Sequence, residues 1–209
     1  MSIIDKLATS LNRRDEVPNQ ELAKELVETE NKEAVAELIQ NLSNKNKDIQ
    51  SDCIKVLYEI GEAKPQLIAP YASNFVELLD SRNNRLQWGA MTALNTIASA
   101  SPATVFGAVA KLAAVADKGS VITRDNYVSI LTKLCSVADY SNDAFDLLHE
   151  QFLISPTNQL PMYAENAAGV IDEAHKNVFI KTLIARLSEF DKESKRKRVE
   201  KVLKKLQGK

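Results

Sequence analysis

This sequence predicts an all-α chain, an α-α superhelix of stacked antiparallel helix pairs, and three observations carry that expectation. Helix-favouring Ala, Leu, Glu and Lys are abundant, Gly and Pro number only 6 each, and β-branched and aromatic residues are not gathered into short alternating runs. Apolar residues recur at i, i+3, i+4 and i+7, the stripe of an amphipathic helix. The stripe itself returns after 37 residues: Gln50, Leu57, Ile60, Ala63 and Pro65 meet Gln87, Leu94, Ile97, Ala100 and Pro102.

In chain order, residues 1–30 predict two short helices hinged at Arg13–Pro18, a cap over an otherwise exposed apolar face. A membrane-surface helix over 2–12 is the competing reading, and its polar face is not notably basic. First helices of the pairs are expected near 33–43, 66–80, 103–117, 142–154 and 177–190. The second helices carry the stripe: Cys53, Val56, Leu57 and Ile60; Ala90, Ala93, Leu94 and Ile97; Tyr127, Ile130, Leu131 and Leu134; Ala164, Ala167, Ala168 and Ile171. Val199, Val202, Leu203 and Leu206 repeat it with a small slip. Ser101-Pro102 reads as an N-cap followed by proline at the first helical position, where its missing N–H costs nothing. Ser155–Pro161 is the longest apparent loop. The expectation is one domain over 1–209, with capping helices at 1–30, repeats over 31–190 and a basic capping helix at 191–209.

The run Asp80-Ser-Arg-Asn-Asn-Arg-Leu86-Gln-Trp-Gly-Ala90-Met-Thr-Ala93-Leu94-Asn-Thr-Ile97 resembles the second helix of a HEAT repeat, an armadillo-like helical solenoid. Pro70 within a first helix resembles the kink common in that family. The chain departs from the family pattern at Gln50 and Gln87, where arginine is usual, and at Ser43, which replaces the inter-helix Asp. The resemblance implies a right-handed stack whose second helices line the concave side, and a binding scaffold rather than an enzyme.

On that implication the side opposite the stripe is the binding face. It places Ser51, Lys55, Tyr58 and Glu62 beside Trp88, Thr92, Asn95 and Ser99 in the next repeat. Asp125, Ser129, Thr132 and Ser136 follow, then Met162, Asn166, Gly169 and Glu173. Candidate contacts for a protein or peptide partner are Lys55, Tyr58, Trp88, Asn95, Asp125, Met162 and Asn166. Trp88 is either an exposed anchor, as Trp and Tyr are at interfaces, or a side chain folded over the groove onto its neighbour.

Charge totals −1, yet residues 192–209 hold nine Lys or Arg against two Glu, so the rest carries −8. Lys195, Arg196, Lys197, Arg198 and Lys201 either form a basic patch for phosphates or an acidic protein, or are the solvated face of the capping helix. Val199, Val202, Leu203 and Leu206 favour the docked cap.

Chemistry-bearing patterns are missing. His149 and His175 have no metal-ligand spacing to a Cys or to each other, and His149 reads as ordinary helix surface. No nucleophile elbow, phosphate-cradling glycine loop or zincin motif occurs. No enzyme activity, cofactor, metal or small-molecule substrate is therefore expected. Cys53 and Cys135 sit in apolar stripes two repeats apart, too far for a disulfide, and read as buried free thiols. No stretch reaches the roughly 18–20 apolar residues of a membrane span. Charge within Met1–Ala8 comes too early for a signal peptide, so a cytoplasmic location is expected. One enzyme class invites comparison, the HEAT-like alkylpurine DNA glycosylases, which place Trp, Asp and Arg on a basic concave face. Trp88 and Arg124 resemble that set, but Thr92 stands where the Asp would be, and the stripe lacks the cations that neutralise phosphates.

Overall fold

Asparagines punctuate this chain. In a computed structural model describing residues 2–208, twelve α-helices and five 3-10 turns form the regular structure of the described residues, with no strand. Three helices begin at an Asn whose side chain accepts from a backbone N–H: Asn31 from Ala34, Asn46 from Asp48 and Asn83 from Arg85. Such caps satisfy donors that the first turn leaves unpaired. The described residues divide into two compact units between Tyr127 and Val128, a boundary inside one helix.

The first unit contains α1 (Val17–Thr29), α2 (Lys32–Gln40), α3 (Lys47–Ala63), α4 (Ala72–Leu78), α5 (Asn84–Ile97), α6 (Pro102–Gly107), α7 (Val109–Lys118) and the opening of α8 (Val121–Leu134). Helix α3 packs on α1, α2 and α5, and α4 packs on α5. The expected stripe is the core: Cys53, Val56, Leu57 and Ile60 of α3 and Ala90, Ala93, Leu94 and Ile97 of α5 have no exposed surface. Burying a Leu or Ile side chain in this way stabilises by roughly 1.5–3 kcal/mol. Two glycines let α3 and α5 approach. A Cβ at Gly61 would meet Thr96 Oγ1 at 2.1 Å, and one at Gly89 would meet Ile54 Cγ1 at 2.7 Å.

Glutamine takes over the tie between helices where the resemblance implied arginine. Gln87 donates to Leu79 O at 2.8 Å and Gln50 to Asn44 O at 2.7 Å, while Asn83 donates to Gln50 Oε1 at 3.1 Å. Asp80 pairs with Lys111 at 2.6 Å.

Some local expectations are corrected. Residues 2–12 contain a single 3-10 turn, Ile3–Lys6, rather than a helix. The segment is pinned by tertiary bonds: Ser2 Oγ and Ile3 N donate to Glu37, and Ala8 N to Asn19 Oδ1 at 3.0 Å. Asn12, at φ 54°, turns the chain away. Ile3, Leu7 and Ala8 are buried against protein. The first helix expected over 66–80 opens as two 3-10 turns, Pro65–Leu67 and Ala69–Tyr71, each with a proline that cannot donate. The one over 103–117 is broken at Ala108 into α6 and α7. Ser101 does not cap α6; its hydroxyl donates to Ala69 O at 3.1 Å instead.

The second unit holds the remainder of α8 with α9 (Ser141–Ile154), α10 (Leu160–Ala167), α11 (Glu173–Ala185) and α12 (Glu193–Leu206). Helix α9 packs on α10 and α11, and α12 packs on both of these. Phe152 and Phe179 meet at 4.8 Å between ring centroids, and buried Arg186 donates to Phe152 O at 2.7 Å. Helix α10 stops at Ala167, so Ala168 and Ile171 lie beyond the helical stripe predicted for them. His149 is not plain surface. It stacks parallel on Phe145 at 5.9 Å, and its Nε2 lies 2.7 Å from Thr182 Oγ1, joining α9 to α11.

Candidate functional site

The first unit carries a cleft of about 830 Å³. Its floor is one face of α3, with Ser51, Asp52, Lys55 and Tyr58; the start of α5 gives Arg85 and Trp88; residues 8–16 form the third wall. That wall crosses because its amides need partners. Thr9 N donates to Asp52 Oδ2 at 2.7 Å, and Asn19 Nδ2 to Asp52 Oδ1 at 2.8 Å.

Lys55 is the electrostatic centre. Its Nζ lies 2.8 Å from Glu16 Oε2, 2.6 Å from Glu59 Oε1, and 5.0 Å from the Tyr58 ring centroid. Burial works against the ammonium form, but the two carboxylates outweigh it and hold the Lys55 pKa above the ordinary lysine value. Burial likewise raises the Tyr58 phenol. Arg13 grips Asp15 through two hydrogen bonds of 2.8 and 2.9 Å, keeping that carboxyl below its usual range. Arg14 and Arg85 are exposed and make no ion pair among the described residues.

Five of the sequence-predicted contacts lie in this unit. Trp88 is half-buried and packs on Tyr58, centroids 6.0 Å apart and planes tilted by 47°. It therefore combines both readings, resting on its neighbour while keeping one side open to the cleft. Tyr58 corrects the expectation of a projecting ring: it is only 7% exposed, because Trp88 of the next repeat covers it. Lys55, Asn95 and Asp125 are half-buried. Asn95 Nδ2 donates to Asn126 Oδ1 at 2.9 Å, and Asn126 Nδ2 to Thr92 Oγ1 at 3.2 Å, so a polar relay links α5 to the start of α8. Sequence periodicity missed Glu16, Arg14 and Arg85. No repeat register predicts where the 8–16 arm lies.

In the second unit Met162 is half-buried and Asn166 exposed, both on α10. The basic residues of α12 are largely engaged. Arg198 bridges to Glu165, Arg196 to Glu193 and Glu200, and Lys197 reaches Glu193 at 3.9 Å. Lys195 donates to Asn158 O at 3.0 Å and to Asn158 Oδ1 at 2.7 Å. Lys201 is exposed.

Both cysteine thiols sit where burial disfavours the thiolate. Burial, then the charges of Asp52 and Glu37, push the Cys53 thiol up to about 12. Burial and Asp172 do the same at Cys135, also to about 12. Both cysteines are free, Cys53 buried and Cys135 half-buried. His175 packs on Phe145 at 4.1 Å with its Nδ1 2.7 Å from Asp172 Oδ1. No group of three or more metal-ligating side chains occurs among the described residues, and no helix there is long and apolar enough to cross a membrane.

No protein-family model matches the chain, and no curated protein does. Solved structures do. An engineered protein superposes with a TM-score of 0.63 at 21% identity, covering 100% of both chains. A designed armadillo repeat protein in complex with the peptide (KR)4 gives a TM-score of 0.67 at 16% identity, over 90% of this chain and 86% of that one. Computationally designed armadillo repeat proteins for modular peptide recognition give 0.61 at 18%, over 88% and 85%. The likeness establishes the fold: this is an armadillo-like helical repeat, as the HEAT resemblance implied.

Proposed function

We propose that the chain is a non-catalytic, cytoplasmic scaffold, folding as one domain, that binds a protein or peptide partner on the exposed face of its second helices. The observation that carries this is the composition of the face on α3 and α5. Lys55, Trp88, Thr92 and Asn95 stand half-buried side by side along the repeat, outside the stripe that forms the core. Half-buried aromatic and amide side chains held by their neighbours lose little conformational freedom when a partner docks. Structural neighbours described as peptide-recognition designs support the same reading. Asp125, and in the second unit Met162 and Asn166, are proposed as further contacts.

The raised thiols and the histidines committed to Phe145, Thr182 and Asp172 support a role without catalysis. The basic residues of α12 are assigned to capping, since most already hold partners within the unit. A glycosylase-like reading is disfavoured at Thr92, whose hydroxyl donates to Trp88 O at 3.0 Å and offers no carboxylate.

A peptide-display selection against the immobilised chain tests the proposal, with duplex DNA carrying an alkylated purine as comparison. Enrichment of a peptide consensus, without base release and without salt-steep duplex binding, is expected. Base release abolished by Trp88→Ala would refute it.

A further inference from the structure

The 8–16 arm lays a carboxylate of the chain itself onto the proposed binding face. Glu16 is 64% exposed at its side chain, whereas its partner Lys55 is 14% exposed. Glu16 stands at the N-cap of α1 yet makes no side-chain capping hydrogen bond, and Pro18 occupies the second position of the helix. Lys55 keeps Glu59 at 2.6 Å, so losing Glu16 does not strip it of all counter-charge. Around it the other charges are unevenly committed. Asp52 is spent on Thr9 and Asn19, and Arg13 on Asp15, while Arg14, Arg85 and the exposed carboxylate Asp48 line the same cleft without an ion pair among the described residues, two cations against one anion. Trp88, resting on Tyr58, offers an apolar platform beside Lys55.

We infer that Lys55 is a carboxylate-selecting position occupied by Glu16 in the free chain, and that a partner peptide enters with an acidic side chain that displaces Glu16 and packs on Trp88. The incoming carboxylate finds the same ammonium, with Arg14 and Arg85 to receive further acidic residues. The 8–16 arm acts as a weak internal competitor, so affinity for acidic peptides is set by an exchange between two carboxylates. This rests on the proposed peptide-binding function and adds the chemistry of the partner.

The test uses the full chain, immobilised, and three nine-residue peptide libraries that differ only in a fixed central Glu, Gln or Lys. The Glu library is expected to be retained in preference to the other two. Glu16→Gln, a substitution at an exposed side chain, removes the competitor and should strengthen Glu-library retention roughly 1.5- to 5-fold, the range of an exposed ion pair. Lys55→Met should abolish the preference for Glu over Gln, with circular dichroism and a thermal melt confirming its fold. Retention without preference for Glu, or weakened retention in Glu16→Gln, overturns the inference and leaves the scaffold reading intact. Retention of no library overturns both.

Discussion

Replacing Gly61 with alanine probes the packing of α3 against α5. Gly61 lies within α3, where alanine alone favours the helix by about 1 kcal/mol. The new methyl would sit 2.1 Å from Thr96 Oγ1, 2.9 Å from Thr96 Cβ and 2.7 Å from Ile68 Cδ1. Rotating Thr96 relieves only the first contact and forfeits its 2.7 Å hydrogen bond to Ala93 O, worth about 0.5–1.5 kcal/mol. The Cβ contact survives any rotation, so α5 must shift away from α3, an overpacking cost of about 1–3 kcal/mol. The expected net loss is about 0.5–3.5 kcal/mol, lowering the melting temperature by roughly 1–14 °C for a chain of this size. Gly107→Ala is the control, because a Cβ there meets nothing within 4 Å. Melts of both variants by circular dichroism check this, and a Gly61→Ala variant as stable as Gly107→Ala would refute the close approach of α3 and α5.

Other outcomes follow from the chemistry. Cys53, buried with its thiol pushed up to about 12, should resist a disulfide reagent at pH 8 until guanidinium exposes it; prompt stoichiometric labelling of Cys53 in the folded chain would contradict its burial. The hydrogen bond from Arg198 holds the Glu165 carboxyl below its ordinary value of 4.5. A depressed carboxyl stabilises the fold above its unfolded pKa, and that gain is lost as pH falls through the folded value. Arg198→Met should therefore melt slightly below the wild type at pH 7, by no more than about 1 kcal/mol for so exposed a pair, and together with it near pH 2. A gap that persists at pH 2 would mean Arg198 acts through packing rather than charge.

Much of the fold was legible because burial imposes its period on the chain. Leu57, Ile60, Leu94 and Ile97 repeat because the same core recurs at each step. What a single helix period does not encode is coverage by another repeat. Tyr58 lies off the stripe and reads as exposed, yet Trp88 covers it. The arm misled in the opposite sense: Ile3, Ile4, Leu7 and Leu11 have helical spacing, but bonds to Glu37, Asn19 and Asp52 bend the segment into turns. Ser101 has the identity and position of a cap, and a carbonyl at Ala69 claims its hydroxyl. Pairs such as Glu16–Lys55 join residues with no shared repeat register, so only the folded chain reveals them.

The central claim, that the face on α3 and α5 recognises a peptide, is tested most directly by titrating a display-selected peptide into Trp88→Ala by calorimetry. Leu94→Ala, a fully buried truncation costing roughly 2–5 kcal/mol of stability, serves as the folding control below its melting temperature. The account predicts roughly 30-fold weaker binding by Trp88→Ala, about 2 kcal/mol, while Leu94→Ala retains affinity wherever it remains folded. Unchanged affinity in Trp88→Ala would contradict the claim.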